Sequence, residues 1–255
     1  AEVQQEKSNK VVKTGIDVLE SNGFKQLQGK KVGLVTNPSG VNNKLVSTVD
    51  ILANAPGVEL VALYGPEHGV RGDIHAGDKV SDEVDPKTGV PVYSLYGKTR
   101  KPTPEMLKDI DAIVYDIQDN GCRSFTFIST LGLLMEAAAE NGKEVIVLDR
   151  PNPLGGNKVE GNIVEAGNFS FVSQFEIPYL YGLTVGELAQ MLNEEGMLKG
   201  EKGTNDTIVK CNLTVVPMEG WSRDMVYTDT RLPWVLPSPH MPQAETSYYY
   251  PATGI

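Results

Sequence analysis

Cysteine is scarce. Only Cys122 and Cys211 occur among 255 residues, which excludes a disulfide-rich scaffold and a multi-cysteine zinc site. One bridge or two free thiols both fit, and neither residue has a thiol-protease setting around it. Basic charge is also short. Lys plus Arg is 23 against 33 Asp plus Glu, a formal net charge of −10. That speaks against nucleic acid or an anionic membrane surface as partner, because neutralising phosphates needs an excess of positive charge. No apolar run approaches the ~20 residues a membrane helix requires. Nucleotide signatures are missing as well. The place after the first strand reads Thr36-Asn37-Pro38-Ser39-Gly40, with too few glycines for close approach to a pyrophosphate. There is no phosphate-binding Gly-rich loop ending in Lys-Ser/Thr and no Gly-x-Ser-x-Gly nucleophile elbow. No cofactor is expected.

What remains is an ordinary globular composition, with 40% hydrophobic and 22% charged residues, enough for one or two domains with a real core. Four nearly continuous apolar runs read as strands buried on both faces: Lys31–Thr36, Glu59–Tyr64, Ala112–Ile117 and Glu144–Leu148. Helical patterns lie between and around them at 11–20, Asn43–Ala53, Pro104–Lys108, Ser129–Glu140 and Thr184–Glu195. The last opens with a Thr184-to-Glu187 capping box. The alternation predicts an α/β fold, Rossmann-like, with a mostly parallel sheet flanked by helices. Residues 1–22 read as a polar tail with a short helix, and 23–218 as the Rossmann-like domain. Residues 219–255, crowded with Pro and aromatics, read as the start of a second, smaller domain that the chain leaves incomplete. The polar start AEVQQEKSN carries no signal peptide and resembles the processed end of an exported protein.

In a parallel α/β sheet, ligands bind outside the carboxyl ends of the strands. Four loops therefore matter most: Asn37–Gly40, Gly65–Asp73, Gln118–Arg123 and Asp149–Gly156. Gly, Pro, Asn and Asp are what any turn uses. The second loop goes further, with Glu67, His68, Arg71 and Asp73 inside seven residues. Carboxylates fall at or beside all but the first strand end: Glu67, Asp116, Asp119 and Asp149. A glycosidase needs one carboxylic acid to protonate the leaving oxygen, often with a second carboxylate beside it. Capping, or an ion pair with Arg123, is the plainer role for Asp116 and Asp119. Arg123 and Arg150 on the same rim could bind an anionic substrate through paired hydrogen bonds, or simply hold the carboxylates. His68, Asp73, His75 and Asp78 could supply metal ligands, although their spacing matches no familiar helical pair. Trp221 and Trp234 could stack on a sugar ring or pack an irregular segment.

Five ordered motifs carry a resemblance. They are Gly65-Pro66-Glu67-His68-Gly69, Asp116-Ile117-Gln118-Asp119, Asp149-Arg150-Pro151-Asn152-Pro153-Leu154-Gly155-Gly156, Leu183-Thr184-Val185-Gly186-Glu187-Leu188 and Leu232-Pro233-Trp234-Val235-Leu236-Pro237-Ser238-Pro239. Together they resemble the exo-β-N-acetylmuramidase (NamZ) family, also known as DUF1343, from about residue 13 onward. The resemblance implies a Rossmann-like domain with a second, smaller one and an active site between them. It implies an exo-acting glycoside hydrolase that releases terminal β-linked N-acetylmuramic acid from non-reducing ends of peptidoglycan fragments, in the periplasm or outside the cell. Glu67 would be the catalytic acid, with Asp116 or Asp119 as helper. The lactyl carboxylate of muramic acid would suit Arg71, Arg123 or Arg150. Asn37, His68, Gln118, Asp149, Asn152, Tyr181, Trp234 and His240 complete the expected substrate contacts. Tyr181 stands where the family usually has His, His240 where it usually has Asn, and the aromatic pair at Ser124-Phe125-Thr126-Phe127 is shifted. A non-catalytic sugar-binding module and a metal-dependent hydrolase using His68 and His75 are the competing readings.

Overall fold

The four apolar runs form the centre of a seven-stranded sheet in a computed structural model. The structure describes residues 11–72, 83–200 and 207–254. β1 (Lys31–Thr36), β2 (Glu59–Gly65), β5 (Ala112–Asp116) and β6 (Glu144–Leu148) lie within one residue of their expected bounds at each end. Three further strands join them: β3 (Glu83–Val84), β4 (Pro91–Ser94) and β9 (Asn212–Val216). The sheet runs β3-β4-β2-β1-β5-β6-β9. Every pairing is parallel except that of β3 with β4. This is the α/β architecture expected from the sequence.

The order places a switch point between β1 and β5. From β1 the chain steps outward to β2 and β4, then returns to the other side of β1 for β5, β6 and β9. Crossovers leave β1 and β5 in opposite directions, so a crevice opens at their carboxyl ends.

Side chains of a strand alternate between faces, and each face has its own core. On one side Ile113, Tyr115, Val145 and Val147 pack with Leu131 and Leu134 of α4 (Phe127–Glu140) and Leu188 and Leu192 of α5 (Val185–Glu194). On the other side Val32, Leu34, Val114, Ile146 and Leu148 pack with Ile16 and Leu19 of α1 (Gly15–Ser21) and Val49 and Leu52 of α2 (Thr48–Ala53). α3 (Pro104–Leu107) opens on a proline with Thr103 as N-cap. The expected Thr184 box caps α5.

Two helix expectations need correction. The pattern over 11–20 is helical only from Gly15, and the backbone N–H groups of Val12 and Lys13 bond to Thr230 O and Glu219 O instead. The pattern over Asn43–Ala53 is helical only from Thr48. The Asn42 side-chain oxygen accepts from the backbone N–H groups of Lys44 and Val46 at 3.0 and 2.9 Å, and Leu45 has a positive φ of 63°. A side-chain-closed turn has won over helix propensity there.

A small hairpin, β7 (Val159–Glu160) with β8 (Leu180–Tyr181), stands beside the sheet. The stretch from Glu219 crosses the carboxyl rim and ends in α6 (Thr246–Thr253). It is tied down by Val12 N–H to Thr230 O at 3.0 Å and Tyr227 N–H to Pro153 O at 3.1 Å. Cys122 and Cys211 are both free and buried. Among the described residues no helix is long and apolar enough to cross a membrane.

Candidate active site

The loops after β1, β2, β5 and β6 do meet on one rim, but they divide between a floor and a cavity. The floor is built from the loops after β1, β5 and β6. Asn37 is buried, and its side-chain oxygen accepts from Ser39 N–H at 2.9 Å while its amide donates to Pro237 O at 3.1 Å. Asn37 thus ties the β1 loop to the crossing segment. Ser39 Oγ in turn accepts from Gln118 N–H at 2.9 Å. The Gln118 amide donates to Asp119 O and Pro151 O at 2.7 and 2.8 Å. Asn152 donates to Leu183 O at 3.0 Å and accepts from Leu154 N–H at 3.0 Å. These side chains hold loops together, and none of them lines the cavity described below.

The same holds for three carboxylates and three arginines. Asp116 has no exposed surface. The buried Arg150 guanidinium grips it with two bonds, at 2.5 and 2.9 Å, and Thr48 Oγ donates to it as well. Asp116 and Arg150 thus occupy each other, which is the structural role weighed for each beside those of catalytic helper and substrate anchor. Asp149 accepts from Gly186 N–H at 2.8 Å and Thr184 Oγ at 3.0 Å, fixing the start of α5. A Cβ on Gly186 would fall 2.8 Å from the Asp149 carboxyl carbon, so only glycine allows this approach. Burial raises the Asp149 pKa to about 6, against these donors. Arg71 makes ion pairs with Asp85 at 2.5 Å and Asp50 at 3.0 Å. Its guanidinium holds Asp85 well below the usual carboxylate range. Arg123 donates to the Asn162 and Ile177 carbonyls at 2.8 and 2.5 Å and lies 5.5 Å from the centre of the Tyr179 ring. All three arginines have internal partners, although Arg71 also lines the second cavity described below and the Arg123 Nε is buried without a partner.

Asp119 is the remaining carboxylate. Its Oδ2 accepts from Gly121 N–H at 2.8 Å and from the Tyr181 hydroxyl. Its Oδ1 is buried without a partner. Burial raises its pKa to about 6 and pushes the Tyr181 phenol well above its ordinary value. Neither group lines the cavity.

The cavity itself has about 510 Å³. Glu67 and His68 enter from the β2 loop, Phe125 and Phe127 from the start of α4, His240 from the crossing segment and Tyr250 from α6. Phe125 stands edge-on to both Phe127 and Tyr250, with centroids 5.0 and 5.3 Å away. His68 adopts a positive φ of 74°, a left-handed conformation that non-glycine residues seldom hold. Its Nδ1 is buried and unpartnered. Burial lowers its pKa, Glu67 opposing and His240 reinforcing the shift, which favours the uncharged imidazole. A second cavity of about 600 Å³ shares His68, Ser238 and His240 and reaches Arg71, Val235 and Leu236. Glu67, His68 and His240 are thus the expected site residues that the structure brings together. Among the described residues Glu67 is the one carboxylate lining the first cavity.

Trp234 donates its indole N–H to Met241 O at 2.9 Å and packs edge-on against Tyr227 at 4.8 Å. It supports the crossing segment. No group of three or more metal-ligating side chains occurs among the described residues. Asp73, His75 and Asp78 lie outside them.

Tyr96 and Tyr250 escaped the sequence reading. Tyr96 follows β4 and lies within reach of Glu67, which raises its pKa. Strand β4 has only four residues and begins with proline, so nothing marked its end as a rim position. Tyr250 belongs to a helix that the Pro251 in its interior disguised.

Fold and cavity define a doubly wound α/β protein with a lone glutamate in an aromatic-walled pocket at the carboxyl edge of the sheet. Its sequence matches the family described as "Exo-beta-N-acetylmuramidase NamZ, N-terminal" over residues 32–245, and the chain belongs to that family. It is 55% identical over 244 residues to the peptidoglycan beta-N-acetylmuramidase NamZ of Bacillus subtilis (strain 168), covering 96% of this chain and 56% of that protein. A DUF1343 family protein of Bacteroides fragilis NCTC 9343 superposes with a TM-score of 0.88 at 63% identity, over 97% of this chain and 60% of that one. A second one from the same organism gives 0.80 at 33% identity, over 95% and 60%. The chain therefore spans a little over half the length of these relatives.

Proposed function

We propose that the chain carries the catalytic pocket of an exo-acting glycoside hydrolase that removes terminal β-linked N-acetylmuramic acid from peptidoglycan-derived saccharides. The observation that carries this reading is the position of Glu67. Among the described residues it stands alone as a carboxylate among aromatic rings at the edge of a crevice, near Tyr96 and next to His68, whose pKa burial lowers. A general acid must reach the glycosidic oxygen while apolar walls exclude water, and this cavity is large enough for a sugar ring. Phe125, Phe127 and Tyr250 offer ring faces and edges to a pyranose.

The lactyl carboxylate finds no free arginine here. The N-terminal end of α4 opens into the cavity at Phe127, and a helix N-terminus favours negative charge. The hydroxyls of Ser124 and Thr126 and the His240 imidazole lie on the same wall. These groups replace Arg71, Arg123 and Arg150 as the proposed anion contacts. The second cavity, across His68 and His240, would take the next sugar. Asp119 supports the site from behind through Tyr181 and does not act on the substrate directly.

The segment from 219 onward, which supplies His240 and Tyr250, would open a second, smaller domain. A wall-fragment substrate would place the protein in the periplasm or outside the cell. The deciding experiment is incubation with a disaccharide carrying muramic acid at its non-reducing end, followed by mass spectrometry. Free N-acetylmuramic acid from the wild type and none from Glu67→Gln is expected. Equal release by that variant would remove Glu67 from its role. Binding of the sugar by calorimetry without product would make this a sugar-binding module.

A further inference from the structure

A groove away from the Glu67 cavity collects the charge that the rest of the protein lacks. It lies between the segment after β4, the middle of α4 and the 168–174 loop. Lys98, Arg100 and Lys199 line it. The nearby Glu136 and Glu140 carboxylates are already engaged by Lys101, at 3.7 and 3.0 Å. Among the described residues no carboxylate forms an ion pair with Lys98, Arg100 or Lys199. In a chain of net charge −10, three cations around one open groove are out of proportion.

The groove also has an apolar and an amide-recognising side. Arg100 stacks over the Phe171 ring at 4.3 Å, and the Lys199 ammonium lies 5.8 Å from the Phe169 centroid. Phe169 is 47% exposed, unusual for a large aromatic on a polar surface. The Gln174 side-chain oxygen is buried on the groove wall and has no donor. An acceptor left unpaired in this way costs free energy until an N–H reaches it.

We propose that this groove binds an acidic peptide, its carboxylates on Lys98, Arg100 and Lys199 and a backbone N–H on Gln174. The assignment deepens the reading of the chain as a peptidoglycan saccharide hydrolase and rests on it for the peptide's origin: muramic acid carries peptides on its lactyl group. Tyr96 lies between the two regions, its pKa raised by Glu67 of the cavity and lowered by Arg100 of the groove. A saccharide whose terminal sugar occupies the cavity could thus lay a peptide from a neighbouring sugar along the groove.

The test is titration calorimetry of the chain with acetyl-Ala-Glu-Glu, with acetyl-Ala-Gln-Gln as the neutral control. Binding of the acidic peptide that weakens with added salt is expected. It should fall at least about fivefold in Lys98→Glu with Lys199→Glu, and less in the milder Lys98→Gln with Lys199→Gln. Equal binding of both peptides, no binding, or no loss in the charge-reversed pair would overturn the proposal. The same preparations are assayed on the peptide-free disaccharide, whose turnover both pairs should keep. Peptide binding without turnover by the wild type would sink the hydrolase reading and leave the groove standing.

Discussion

The Tyr96 phenol lies within reach of the Glu67 carboxylate, which raises its pKa, and so the end of β4 meets the loop after β2 across the edge of the sheet. A hydrogen bond between them would orient Glu67, the one carboxylate that lines this cavity among the described residues. One hydrogen bond to a charged group contributes about 1.5–3 kcal/mol, so losing it should lower kcat/KM roughly ten- to a hundredfold. Tyr96→Phe should therefore cut turnover of the muramic acid disaccharide while leaving thermal unfolding nearly unchanged. If Tyr96→Phe hydrolyses at the wild-type rate, Glu67 is held by something else.

Asp116 and Arg150 behave as structure. Removing one partner of a buried ion pair strands the other, at a cost of about 3–5 kcal/mol. Asp116→Ala and Arg150→Ala should each lower the urea midpoint sharply, and the pair together by much less than their sum. Whatever protein still folds should turn over substrate at a near-normal rate. An Asp116→Asn variant that is fully stable yet inactive would return Asp116 to the chemistry.

Much of this was readable in advance, and the failures share a cause. The central strands were legible because burial on both faces makes them continuous apolar runs. Strand β9 was missed because Asn212–Val216 is an edge strand with only partly buried side chains at its centre, so its pattern is weak. The rim was legible because turn residues follow each strand. Which rim residues face a ligand was not. Asp116 and Glu67 both follow apolar runs, yet one meets Arg150 from 34 positions away and the other meets a cavity. Pairing across the sheet decides this, and one chain read in order does not display it. The partner of Arg71 was hidden for the same reason, since Asp85 lies 14 positions further along the chain.

Asp119 predicts a pH dependence. Its folded pKa of about 6 lies above the ordinary carboxylate value of 3.8. The folded state therefore holds this proton more tightly than the unfolded chain does. Stability from this group is full below about pH 4 and falls as pH rises toward 6, with Asp149 adding a loss of the same sign in the same window. A shift of this size corresponds to roughly 2–3 kcal/mol for so buried a group. Asp119→Asn keeps an acceptor for Tyr181 and removes the titration. Urea unfolding from pH 4 to 7 should show a shallower decline in Asp119→Asn than in the wild type. Parallel curves would mean that Asp119 ionises without cost.

Gly132 sets two rules against each other. It lies inside α4, where replacing Gly with Ala normally gains about 1 kcal/mol of helix propensity. A Cβ at this position would come 2.1 Å from the tip of the Phe175 ring. Phe175 is 2% exposed and belongs to the same core as Leu131 and Leu134. The ring is buried in that core, and overpacking a filled core costs about 1–3 kcal/mol. The clash should win. Gly132→Ala is expected to be net destabilising in urea unfolding, and Phe175→Leu in the same chain should recover part of the loss by making room. The displaced ring sits at the end of the 168–174 loop, which carries Phe169, Phe171 and Gln174. Gly132→Ala should therefore also weaken acidic-peptide binding more than it slows hydrolysis of the peptide-free disaccharide. A variant more stable than wild type would show that Phe175 can swing aside, and that this loop is less firmly seated than its buried ring implies.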